Sequence, residues 1–173
     1  MAETSTLLRS SKINTTVRKV LAAIFAVALV ALTVLGGLKM SGNEATVLPV
    51  VSAVAGEAPT ISKPSGAAPA ELTTKDVIVG TGAEVLPTST LTVHYTLMAW
   101  STGKIIESSW SGQPATFPLA QVVEGWQKGL PGSKVGGRRL LIIPPAMGYG
   151  AAGAGPIGAN ETLVFAVDII GVA

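Results

Sequence analysis

Cysteine is absent from the 173 residues. Its absence excludes disulfides, thiolate nucleophiles and cysteine-ligated metals, and leaves the redox compartment open. Histidine occurs once, as His94. A lone histidine serves structure more often than ligation, and no motif supplies further ligands around it, so neither a metal nor a cofactor is expected. Charge is scarce as well: charged residues make up 13% of the chain against 48% hydrophobic. That imbalance is too large for a uniformly soluble chain and places part of it in lipid. From Glu71 onward six bases face seven acids. So nearly neutral a domain has no electrostatic footprint for nucleic acid, which is not expected as a partner.

The apolar excess is concentrated in Val20 to Leu38, 19 consecutive residues without a charge. At about 1.5 Å per residue they reach roughly 28 Å as a helix, the thickness of a bilayer's hydrocarbon core. Arg9, Lys12, Arg18 and Lys19 precede the span and only Lys39 follows it closely. The expectation is therefore a single-pass signal anchor in the cell membrane, with residues 1–19 cytoplasmic and the remainder outside. Secretion after signal cleavage is the alternative. Cleaved signals have apolar regions of about 7 to 15 residues with a small-residue site close behind, whereas Ala53-Val54-Ala55 lies far downstream. Residues 39–70 are rich in Ala, Gly, Ser and Val, with Pro49, Pro59, Pro64 and Pro69 and no sustained period. They read as a flexible linker with a reach of about 30 Å.

Residues 71–173 read as one α+β domain, an antiparallel β-sheet wrapped around one short α-helix. Strands are expected at Lys75–Val79, at Leu91–Leu97 with its strict alternation, and at Lys104–Ser109 across a turn at Ser101-Thr102-Gly103. Two more are expected at Arg138–Ile143 and Glu161–Val172. Between them Pro118 and Gly129 punctuate a short helix that carries Val122, Val123 and Trp126 on one face. Too short to stand alone, it needs the sheet to bury that face.

Six stretches, in order through this domain, carry a family resemblance: Val93-His94-Tyr95-Thr96, Gly103 to Ser109, Val122-Val123-Glu124-Gly125-Trp126, Gly136-Gly137-Arg138-Arg139, Ile143 to Gly150, and Thr162-Leu163-Val164-Phe165. Residues 71–173 resemble the FKBP-type peptidyl-prolyl cis-trans isomerases, the macrolide-binding immunophilins. The resemblance implies an apolar bowl floored by Trp126, with Tyr95, Phe117, Val122, Val123, Tyr149, Ile157 and Phe165 as its wall. It also implies a Tyr95–Glu107 pair at the rim and a Tyr149 hydroxyl that donates to a substrate carbonyl. Proline-containing polypeptide segments are the implied partners, with the membrane bound through residues 20–38 and a larger membrane complex as a further partner class. Two departures stand out. Ile106 and Glu107 occupy positions where the family typically has phenylalanine and aspartate, and Ala115 replaces another ring. By this reading both departures reduce turnover rather than alter the fold.

Overall fold

The computed structural model describes residues 45–173. The span 20–38, and with it the expected anchor and its orientation, lies outside the described residues. Among the described residues no helix is long and apolar enough to cross a membrane.

Six strands form one sheet: β1 (Thr73–Ile78), β2 (Thr90–Ala99), β3 (Ile105–Ser108), β4 (Ala115–Pro118), β5 (Arg138–Ile143) and β6 (Leu163–Val172). The spatial order is β1-β5-β6-β2-β3, and β4 continues along β2 where β3 has ended. All pairings are antiparallel. The alternation along β2 and β6 does what period 2 requires. Leu91, Val93 and Leu97 point to the same inner face as Phe165, Val167 and Ile169, and there they meet Leu141 and Ile143 of β5. β4 is the strand the sequence does not announce. It has four residues and ends in proline, too short for any period to register.

Helix α1 (Glu124–Gly129) lies on this inner face, buries Trp126, Gly125 and Gly129, and follows a 3-10 turn at Leu119–Gln121. The helix proper is shorter than the punctuation suggests, because Val122 and Val123 are extended. Gly125 is required by close approach: a Cβ there would collide with the side chain of Ile143. The helix is thereby drawn close to β5, and the tryptophan is held at a fixed height above the sheet.

The linker expectation for residues 39–70 is corrected over the part described. Residues 47–65 fold back on themselves, with antiparallel bridges Val47↔Ser65 and Val51↔Ile61, and lie as a strap on the outer face of the sheet. Val51 is buried there with Met98, Trp100, Leu140, Ile142, Val164 and Ala166, and Ile61 and Ala68 pack alongside. The prolines that suggested a loose tether are inward-facing: Pro49, Pro59 and Pro64 are buried. Their fixed φ stiffens a segment that has side chains to bury but little ladder to form. Polar contacts complete the attachment. The wholly buried Arg138 makes a bidentate pair with Asp168 at 2.6 and 2.9 Å. Two of its three remaining N–H groups donate to the strap carbonyls of Ser52 at 2.7 Å and Glu57 at 2.5 Å. Isolated, such a charge would be costly to bury; here four of its five N–H donors are taken, two of them by a carboxylate.

Candidate functional site

The inner face and the helix enclose a bowl of about 350 Å³ whose lining includes Tyr95, Glu107, Phe117, Val122, Val123, Trp126, Tyr149 and Phe165. Eight of the ten residues expected at the site are thus brought together. The other two are not in the lining. Ile157 is buried in the hydrophobic core, and Ile106 is half-buried against that same core. Ala115 of β4, paired with Val93 of β2, is likewise outside the lining.

Trp126 is the centre of the arrangement. Phe165, Tyr95 and Phe117 surround its indole with ring centroids at 5.3, 5.8 and 6.0 Å and interplanar angles of 82°, 82° and 89°. Near-perpendicular packing of this kind is favoured by the ring quadrupoles and adds about 0.5 to 1.5 kcal/mol per pair beyond burial. It locks the rings without filling the space above the floor. The indole Nε1 is buried and finds no hydrogen-bond partner in the protein, so the ring itself is held by packing.

Each wall residue is placed by a different element. Tyr95 and Phe165 come from diagonal positions of β2 and β6, where Tyr95 is opposite Val167 and Phe165 is opposite Leu97, and Phe117 comes from β4. Val122 and Val123 are the extended residues between the 3-10 turn and α1. Gln127 Nε2 anchors this link by donating to the Val122 carbonyl at 2.7 Å. Tyr149 stands at the mouth, 39% exposed, on a turn closed by the Gly150 N–H donating to Pro145 O at 2.9 Å. Gly150 has φ of 59°, a conformation that most side chains avoid.

At the rim the Tyr95 hydroxyl donates to Glu107 Oε1 at 2.6 Å, a short, charge-assisted bond. Burial, and then the bond to the Glu107 carboxylate and its charge, push the Tyr95 phenol well above its ordinary value of 10.0. The hydroxyl therefore stays a donor at any physiological pH. Sequence reasoning missed two lining residues, Leu97 and Gln121. Leu97 was findable, since it lies two residues beyond Tyr95 on the same strand face. Gln121 is exposed and sits in no periodic pattern.

Comparison with known proteins decides which family builds this bowl. The model of the FKBP-type peptidyl-prolyl cis-trans isomerases matches residues 82–170. The chain belongs to that family. The chain is 48% identical over 115 residues to the "Probable FK506-binding protein" of Corynebacterium glutamicum, covering 66% of this chain and 98% of that protein. It is 44% identical over 121 residues to the "FK506-binding protein" of Streptomyces anulatus, covering 67% of this chain and 98% of that one. Among solved structures, a peptidyl-prolyl cis-trans isomerase from Pseudomonas syringae superposes with a TM-score of 0.55 at 32% identity, over 59% of this chain and 75% of its own.

Proposed function

We propose that this isomerase turns prolyl bonds of exported or membrane proteins at the outer side of the cytoplasmic membrane, held there by residues 20–38. The observation that carries the catalytic reading is the ring of Tyr95, Phe117 and Phe165 standing upright around Trp126 below a Tyr95–Glu107 hydrogen bond. Rotation about an X-Pro bond breaks amide resonance against a barrier of about 18 to 20 kcal/mol and takes tens to hundreds of seconds unaided. The twisted amide is less polar than the planar one. A dry aromatic bowl disfavours the planar ground state more than the transition state, and differential binding of this kind lowers the barrier without a nucleophile. Trp126 receives the proline ring, and Tyr149, exposed at the mouth, donates its hydroxyl to a substrate carbonyl. Tyr95 and Glu107 set the polarity of the rim and move no proton. A macrolide of the kind that names the relatives would compete for the same bowl.

The placement outside the membrane is supported by the 19-residue apolar run and the basic residues on one side of it. Full-length chain in membranes should accelerate isomerisation of a proline tetrapeptide, and protease added to intact spheroplasts should remove the domain. A folded chain without turnover would instead leave a proline-binding module or an accessory subunit of a membrane complex. Protection until lysis would reverse the topology.

A further inference from the structure

β2 is flanked on one side by two strands in succession, and between them it is left without a partner. β4 pairs Thr90 to Val93, and β3 pairs Thr96 to Met98. His94 and Tyr95 fall in the gap, and Tyr95 is the residue whose side chain joins the bowl to Glu107. A backbone N–H at such a break has no carbonyl opposite it and must be satisfied otherwise. The side chain of Ser109, the first residue after β3, fills that place: its Oγ accepts from the Tyr95 N–H at 2.9 Å. The same Oγ lies 3.0 Å from His94 Nδ1, and the His94 ring is stacked on Trp110 at 4.4 Å with 19° between planes. The Ser109 hydroxyl also reaches the Tyr95 carbonyl oxygen at 3.4 Å, so it meets both backbone groups of that residue.

Ser109 thus ties the Tyr95 backbone to the end of the strand that carries Glu107, two residues away along the chain. The hydroxyl-to-carboxylate bond of 2.6 Å spans the same two strands on the inner face. We propose that Ser109 is a positioning residue for isomerisation: its hydroxyl, oriented by His94, holds β2 and β3 in the register that brings Tyr95 Oη onto Glu107. The proposal rests on the reading that this pair forms the rim of the catalytic bowl. Ser109 itself is not in the lining of the bowl, so it acts only through the pair.

The test is a double-mutant cycle on the full-length chain, reading kcat/KM on a proline tetrapeptide alongside thermal unfolding. Ser109→Ala should lower kcat/KM by about 10-fold or more, since displacements near 1 Å at a site cost up to about 100-fold. Ser109→Thr, which keeps the hydroxyl, should recover most of the loss. In a Tyr95→Phe background, where the rim bond is already gone, Ser109→Ala should cost much less. A merely structural serine would lower the melting temperature and leave turnover of the folded protein unchanged. Unchanged kcat/KM in a folded Ser109→Ala protein overturns the proposal, and so does an equal loss in both backgrounds. Where Tyr95→Phe alone leaves turnover intact, the rim reading beneath it fails instead, and the two failures are told apart by that single variant.

Discussion

Gly129 at the end of α1 lies so close to β5 that a methyl group in place of its hydrogen would collide with Leu141 Cδ2. With Gly125 against Ile143 one turn earlier, two glycines four residues apart form the surface by which the helix lies on the sheet. Gly129→Ala would ordinarily favour a helix. Here overpacking should dominate and destabilise the domain by about 1 to 3 kcal/mol, read as a fall in the midpoint of urea unfolding. A stabilised Gly129→Ala protein would show that the helix rides higher than described.

Trp126→Ala should cost about 3 to 5 kcal/mol through the cavity it opens and should weaken binding of proline peptides. Because stability and binding fall together, Trp126→Leu is the sharper probe. A folded Leu variant with full isomerase activity, measured by coupled proteolysis of a proline tetrapeptide, would move the bowl elsewhere.

The raised pKa of Tyr95 makes stability depend on alkaline pH. The folded chain holds the phenol proton more tightly than the unfolded chain, in which tyrosine titrates near 10. This contribution is therefore fully present below about pH 10 and declines as pH rises beyond it. In Tyr95→Phe the alkaline decline should be shallower. Parallel stability curves for the two proteins between about pH 9 and 11 would contradict the assignment.

Asp168→Ala removes the bidentate partner of a wholly buried arginine. Stranding that charge should cost about 3 to 5 kcal/mol, whereas replacing both partners by apolar residues of similar volume should cost far less. Thermal unfolding of the single and paired variants compares the two. Equal losses would mean that Arg138 finds water when Asp168 is gone.

Ile106→Phe tests a departure from the family pattern that the structure reinterprets. Ile106 packs against the same core cluster as Trp126 and Phe165 but lies outside the lining of the bowl. The ring should therefore change kcat/KM little and lower the melting temperature by overpacking. A large gain in turnover at unchanged stability would return this position to the wall of the site.

The inner face of the sheet was legible because its signal is local. Leu91, Val93, Tyr95 and Leu97 alternate on one strand, Leu163 to Ile169 on another, and period 2 suffices to orient them. The bowl floored by Trp126 was instead implied by the family resemblance. What stayed illegible depends on contacts between distant residues. The strap reads as linker because its attachment is made by Arg138, 86 residues beyond Ser52. β4 escaped because four residues cannot display a period. Ile106 and Ile157, expected at the site by the same resemblance as its other residues, lie in or against the core and outside the lining of the bowl.

The position of β6 in the sheet bears on the order in which the chain can assemble. It is the last of the six strands to leave a ribosome, yet it is the one that lies between β5 and β2. Until residues 163–172 emerge, β1 and β5 can pair with each other and β2 can pair with β3 and β4, but no strand pairing joins the two halves. Both halves then present an open edge, the condition under which nascent chains associate wrongly. Arg138 also lacks its carboxylate until Asp168 arrives. An isomerase with this wiring commits to its fold only once its sixth strand has emerged, so a stop codon before Leu163 abolishes the centre of the sheet rather than trimming a border.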